Sequence, residues 1–277
     1  MDLNWLECLV IGLVSGFADV LPVSAQGHKA IFLKLFGETG EPALLRLAIH
    51  VAIFGTLYFC CSKHLRRLVR QLKLSRIPKK KRKRPLDSKV LAEFKVLRVM
   101  VIPVIASLFL YRYTQDWNYR LNLTAVFLLL NGVILYLPSL VPTGNKDGLS
   151  MSILDSLLMG LGGVAAVLPG VSSVGATISI ASVCGAERQF GLGLAYLAHL
   201  VLTAGLIVLD VIAIVGGNFI LSIPVLVCCL VAAAAAAVGT YFGVRVMRTL
   251  SANIGFGVFP FYSFGAALLS FILFLMV

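Results

Sequence analysis

The sequence predicts an all-α polytopic membrane protein: about six transmembrane helices and two re-entrant helix hairpins, arranged as an inverted repeat. Three observations carry this expectation. Hydrophobic residues fill 59% of the 277 positions and charged residues 13%, with a mean hydropathy of +0.96, so most of the surface is suited to lipid rather than water. Several windows reach the roughly 20 apolar residues that a spanning helix needs, which a soluble fold or a barrel would not require. Two further apolar stretches are interrupted by Pro and Gly in the middle, and a helix does not run through such a break undisturbed.

In chain order, residues 3–36 form the first broken segment, divided at Leu21-Pro22. Spans follow at about 45–61, 90–111 and 121–141. The second broken segment, 152–186, divides at Leu168-Pro169-Gly170, and spans at about 190–214, 219–247 and 257–277 complete the chain. Each broken segment reads as two half-length helices folded back on themselves, a geometry tolerated at membrane depth only where protein or a wet cavity covers the exposed backbone. The opening, Met1 to Glu7, is acidic and lacks the basic leader of a cleaved signal, so it is expected to belong to the mature fold. The six cysteines, Cys8, Cys60, Cys61, Cys184, Cys228 and Cys229, lie in or beside apolar runs without metal-type spacing and are expected to be packed thiols.

The broken segments resemble each other. "GLVSGFADVLP" (Gly12 to Pro22) aligns with "GLGGVAAVLP" (Gly160 to Pro169) across one gap, and Ser-x-x-Gly follows in both, as Ser24 to Gly27 and Ser172 to Gly175. The chain therefore reads as one integral membrane domain of two repeats, about 1–141 and 152–277, with a basic loop at 62–89. Three spans between the hairpins turn the second repeat upside down relative to the first.

The net charge of +12 is concentrated between Lys63 and Arg98, around "PKKKRKRP" (Pro78 to Pro85). In a polytopic chain such a run reads as a cytoplasmic loop obeying the positive-inside rule and touching anionic headgroups, and no nucleic-acid partner is expected. Placing it inside also places Lys146, Arg188, Arg245 and Arg248 inside, together 19 of the 24 Lys and Arg. Both termini then fall outside, the hairpins enter from opposite faces, and their tips meet near the midplane around a shared polar site.

At such tips the helix starts point unpaired amides and a positive dipole end into the cavity. Ser24 and Ser172 are expected N-caps, while Gly27 and Gly175 allow a ligand to come close. This favours an anion; phosphate is the natural candidate, although carboxylates bind broken helices in the same way. Asp19, one turn after Ser15 on the same helix face, and His28 are the candidate catalytic groups, since ionisable side chains at this depth mark sites. His28 can serve as nucleophile or proton carrier. His50, His199, Asp155 and Asp210 belong to no compact motif and are expected to pack or to sit at helix ends, Asp210 near the outer, better solvated end of its span; His199 lies nearest mid-span.

"GLVSGFADVLPVSAQGH" resembles the pattern EGxTEFLPVSSxGH, and "LPGVSSVGATIS" resembles PGxSRSGATIS, the paired signatures of the undecaprenyl-diphosphate phosphatases of the bacitracin-resistance (BacA) type. The resemblance extends over the whole chain, and Gly175 to Ser179 match the second pattern without change. It implies a six-span bundle with two re-entrant pairs in the bacterial plasma membrane. The implied reaction is hydrolysis of the C55 diphosphate lipid to the monophosphate carrier for cell-envelope synthesis, with dependence on a divalent cation, Mg or Ca.

The candidate catalytic residues are His28 and Asp19, on positions the resembled pattern uses, with Ser24 beside them. The resemblance implies Ser172, Ser173, Gly175, Thr177 and Gly27 as the phosphate site, and Asp19, more weakly Ser15, as cation ligands. Departures are plain. Ser15 and Asp19 replace a Glu-x-x-x-Glu pair, Ala25 an active serine, and Ser173 an arginine. Losing a carboxylate weakens a hard-cation site, and losing the arginine removes a phosphate clamp. Lys29 is the nearest cation, placed either to reach phosphate or to snorkel outward. The competing expectation is a non-hydrolytic binder or transporter of a polyprenyl phosphate or another anion. The expected partners are the polyprenyl diphosphate and the bilayer, and a homodimer is compatible with the sequence.

Overall fold

A computed structural model describes residues 4–82, 84–217, 222–253 and 255–276. Met1 to Leu3, Lys83 of the basic run, residues 219–221 of the expected fifth span and Val277 of the last lie outside the described residues. The described residues form ten α-helices: α1 (Trp5–Asp19), α2 (Ala25–Leu35), α3 (Ala43–Ser75), α4 (Ser88–Thr114), α5 (Leu121–Tyr136), α6 (Ile153–Val164), α7 (Ser173–Val183), α8 (Arg188–Gly216), α9 (Ile223–Asn253) and α10 (Phe259–Met276). Among them they contain no strand, only an isolated bridge between Lys146 and Ala186. Six helices, α3, α4, α5, α8, α9 and α10, are long and apolar enough to cross a membrane, so this is a multi-pass membrane protein with an all-α fold.

The two broken segments are built on one plan. Asn4 opens α1 with a capping box: its Oδ1 accepts from the amides of Leu6 and Glu7 at 2.9 and 3.0 Å, and Glu7 accepts from the Asn4 amide at 2.7 Å. Ser152 and Asp155 do the same for α6 at 3.0 and 2.9 Å, so Asp155 has the helix-end role expected of it. Each first half-helix stops short of its proline, which has no amide to donate and whose ring crowds the preceding turn. A serine then caps the second half-helix, Ser24 for α2 and Ser172 for α7. Gly170 turns the second break at φ 112°.

Small residues let the half-helices sink into the bundle. Gly12 and Gly16 of α1 lie directly against the backbone of Ala232 and Ala236 of α9, where any added Cβ would collide with the carbonyls. Gly160 of α6 lies against Met100 and Pro103 of α4 in the corresponding way. Helices in lipid associate by such close packing rather than by a hydrophobic drive, which accounts for the alanine run of α9. Thr240 adds a bond to the Gly16 carbonyl at 3.2 Å.

The basic segment differs from the expected loop at 62–89. α3 continues to Ser75, so at 1.5 Å per residue it is about 50 Å long and outruns a hydrocarbon core of about 30 Å. Two groups hold the extension. Arg82 donates to the Ile77 and Ser75 carbonyls at 2.6 and 3.0 Å, closing the open end of the helix. Asp87 caps α4 through the Lys89 and Val90 amides and pairs with Arg67 at 3.1 Å; the Arg67 hydrogen bond and those amides hold its carboxyl below the ordinary aspartate range. Lysine and arginine are good helix formers, so a basic run next to a span continues the helix wherever its end can be capped.

The α1–α9 contact predicts its own sensitivity. Gly16→Val should cost about 3 kcal/mol or more by forcing the helices apart, read as a large fall in unfolding temperature in detergent. Gly55→Val, where a Cβ meets nothing within 4 Å, should leave that temperature nearly unchanged.

Candidate active site between the hairpin tips

The two Pro breaks meet and satisfy one another. Gly175 of α7 sits against Pro22 of the first break, and Gly27 of α2 against Gly170 of the second. Asn131 of α5 joins them: its Nδ2 donates to the Pro22 carbonyl at 3.2 Å and to Ser263 Oγ of α10 at 2.7 Å, and its Oδ1 accepts from the Ser172 amide at 2.9 Å. Ser172 Oγ donates to the Leu21 carbonyl at 3.0 Å while accepting from the Gly175 amide at 3.1 Å. Tyr196 covers the Val20 carbonyl at 3.2 Å. Ser24 completes the first tip in the left-handed region, φ 62°, a strained setting for a non-glycine residue. Its Oγ accepts from the Gly27 amide at 3.2 Å.

A cavity lies beside these tips. Ser15 and Asp19 of α1, Ser24, Gln26 and Lys29 of the first tip, His50 of α3, Ser172 and Ser173 of the second tip and His199 of α8 form its polar wall. Ala25, Ile49, Ile53, Val171, Leu202 and Leu206 complete it. Across the cavity runs a chain of three side chains from three helices. Asp19 Oδ2 lies 2.6 Å from His199 Nε2, and His199 Nδ1 lies 2.9 Å from Ser173 Oγ. All first-turn amides of a helix lack intrahelical acceptors, so the starts of α2 and α7 bring donors and positive dipole ends to this cavity.

Of the residues expected at the site, Asp19, Ser15, Ser24, Ser172 and Ser173 line the cavity. Gly27 and Gly175 do not: their amides are spent on the serine caps and their α-carbons pack between the tips. They let the two chains approach each other rather than a ligand. Thr177 stands behind Ser173 and His199 at a small void on the α4 side, next to Val104 and Gly163. His28 turns away toward α10. Its Nδ1 meets the Ser24 carbonyl at 2.8 Å and so carries the proton, leaving Nε2 to accept from Tyr262 Oη at 2.7 Å. The two rings stack at 5.6 Å, which makes His28 a clamp between α2 and α10. Lys29 does not snorkel; it is buried against Glu41 at 2.7 Å.

The sequence reading missed four features. His199, placed among packing residues, is the centre of the site. Asn131 belongs to no motif, although an asparagine amid apolar residues of a span is the sort of polar group that bonds across helices. Asp210 is buried rather than solvated at a helix end: Arg46 Nε binds one of its oxygens at 2.5 Å and His50 Nδ1 the other at 2.6 Å. Glu41 lies just outside a predicted span, and nothing in its local sequence connects it with Lys29, its ion-pair partner. Only Asn131 and the mid-span position of His199 gave a local signal.

The donors do not form a site for a hard divalent cation by themselves. Among the described residues no cluster of three or more Asp, Glu, His or Cys could hold one. The one cavity carboxylate, Asp19, already spends an oxygen on His199, and Ser15 offers only a buried, unpartnered hydroxyl. Three groups that carry or can carry positive charge, Lys29, His50 and His199, share the same wall.

The sequence matches known proteins along most of its length. The family model described as bacitracin resistance protein BacA matches residues 8–269. A protein of Carboxydothermus hydrogenoformans named undecaprenyl-diphosphatase is 27% identical over 249 residues, 88% of each chain. Proteins of the same name from Parabacteroides distasonis and Treponema denticola are both 28% identical, over 219 residues (78% of each chain) and 185 residues (66% of each chain).

The bonds of Asn131 supply a test. Asn131→Leu leaves the Pro22 carbonyl and the Ser172 amide buried without partners, each costing about 1–3 kcal/mol. The expected result is a marked loss of thermal stability in detergent. Asn131→Asp, which keeps the acceptor for the Ser172 amide, should lose less.

Proposed function

Because the chain belongs to the bacitracin resistance protein BacA family, we propose that it is a membrane undecaprenyl-diphosphate phosphatase, cleaving the terminal phosphate from a polyprenyl diphosphate and leaving the lipid monophosphate. The observation that carries this reading is the cavity at the two tips. Two half-helix starts deliver dipoles and amides suited to phosphate, and the same wall holds a carboxylate, an imidazole and hydroxyls able to move a proton. The diphosphate enters this cavity, the first-turn amides of α7 hold phosphate oxygens beside the Ser173 hydroxyl, and the prenyl tail lies along the apolar outer face of the bundle. Ser24 and Ser172 keep the tips in place.

The reading extends to placement in the membrane. The basic segment faces the cytoplasm, with the exposed Lys79 to Lys81 turn at anionic headgroups, and both termini lie outside, as the positive-inside bias requires. The two halves form an inverted repeat: α1 packs along α9 as α6 packs along α4, the exchange expected when the halves are related by a two-fold axis. Any divalent cation comes with the diphosphate, because phosphate-bound Mg²⁺ needs only one or two protein carboxylates.

Purified protein reconstituted into liposomes should release phosphate from a C55 diphosphate, and Asp19→Asn should reduce turnover by about a hundredfold or more. If the lipid binds or crosses the bilayer with no phosphate above that of empty liposomes, the transporter reading replaces this one. The cation is tested separately. Calorimetric titration of the lipid-free protein with Mg²⁺ or Ca²⁺ should show no binding in the micromolar range, and a saturable site there would assign the ion to the protein.

A further inference from the structure

We infer that Ser173 is the nucleophile of this site, activated by His199, with Asp19 as the positioning residue. The inference rests on the phosphatase reading above and assigns the group that attacks phosphorus. Four hydroxyls line the cavity, those of Ser15, Ser24, Ser172 and Ser173. Ser24 Oγ is held by the Gly27 amide, and Ser172 Oγ is bonded both to the Leu21 carbonyl and by the Gly175 amide. Ser15 Oγ has no partner at all. Ser173 alone among them is within hydrogen-bond reach of a base, His199 Nδ1 at 2.9 Å.

The direction of the chain follows from donor and acceptor chemistry. An ionised Asp19 can only accept, so His199 Nε2 carries the ring proton and donates it to Oδ2 across 2.6 Å. Nδ1 then presents a lone pair, and the Ser173 hydroxyl donates into it. This is the proton arrangement an activated serine requires, with a third group fixing the base. His199 and Ser173 are both buried, at 6% and 9% exposure, so bulk water does not compete for these bonds. Ser173 is also the first residue of α7, and charge that develops on a phosphoryl group at its Oγ meets the positive end of that helix.

The reaction has two balanced displacements. Ser173 Oγ attacks the terminal phosphorus and passes its proton to His199 Nδ1. The new Oγ–P bond forms as the bridging P–O bond breaks, and its electron pair leaves on the lipid monophosphate, which takes the proton from His199. Water then attacks the phosphoserine and gives a proton to His199. The Oγ–P bond breaks, Ser173 recovers the proton, and inorganic phosphate departs.

The test uses purified wild-type protein with C55 diphosphate carrying ³²P in the terminal phosphate, quenched in acid. Phosphoserine survives acid and phosphohistidine does not, so acid-stable label on the peptide containing Ser173 is expected. Ser173→Ala and His199→Gln should lower kcat by about a thousandfold or more, with unfolding temperatures near that of the wild type. Asp19→Asn should lower kcat with KM nearly unchanged, a split that a merely structural role would not give. Ser173→Ala retaining a tenth of wild-type turnover, or label that is acid-labile, overturns the inference and leaves the phosphatase reading standing. If wild type releases no phosphate, that reading fails, and a fluorophosphonate probe decides the serine separately. A Ser173 adduct found by mass spectrometry and lost in His199→Gln upholds an activated serine, and no adduct overturns it.

Discussion

Backbone buried away from water has to find its hydrogen-bond partners within the protein, and this structure is organised around that constraint. Each break at Pro22 and Pro169 frees carbonyls and amides that a continuous helix would have paired, and each tip uses the other to satisfy them. The Leu21 carbonyl takes the Ser172 hydroxyl, the Pro22 carbonyl takes Asn131, and the same asparagine takes the Ser172 amide. The Val20 carbonyl takes Tyr196. Neither hairpin is self-sufficient. The site exists because the two have to meet, and the glycines at 27, 170 and 175 set how closely they do so.

That mutual dependence explains why so much of the fold was legible in the sequence. Prolines inside apolar stretches, serines just after them and glycines three residues on are local signals, each with a single mechanical meaning. The breaks, the caps and the six spans could therefore be read from one chain. Gly27 and Gly175 were recognised as sites of close approach, but what approaches is the opposite tip. The extension of α3 into the basic segment was not legible because composition reports charge and not the capping of Ile77 and Ser75 by Arg82.

The site was legible only by halves. Asp19 and Ser173 stood out because each lies in a motif, whereas His199, which connects them, lies in a span with no motif around it. Asp19 is 180 positions away from His199 along the chain, and no periodicity reports a contact of that range. His28 gave the stronger local signal and turned out to hold α2 against Tyr262. A histidine one helical turn after a serine can reach that serine's carbonyl through Nδ1, as here, and its remaining lone pair on Nε2 is then taken up by Tyr262 on the side away from the cavity. Distance along the chain was the wrong measure of chemical proximity.

Charge accounting explains how such a site can do without a guanidinium at position 173. Each charged side chain at the cavity already has an opposite or hydrogen-bonding partner: Lys29 is held by Glu41, Asp19 by His199, and Asp210 beyond His50 is shared with Arg46. An entering diphosphate therefore meets compensated groups rather than a free cation. Its charge has to be balanced by the dipole ends of α2 and α7, by their first-turn amides and by whatever cation accompanies it. Those dipoles are fixed by the fold and need no reorganisation when charge develops, which is the property that makes preorganised groups effective in a dry site. They are weaker than a bidentate arginine, about half a unit charge at each helix start. With Ser173 at the α7 tip, where the resembled pattern carries Arg, that balance falls to groups the fold itself holds in place, and the side chain at this position is left bonded to His199 rather than free to clamp an anion.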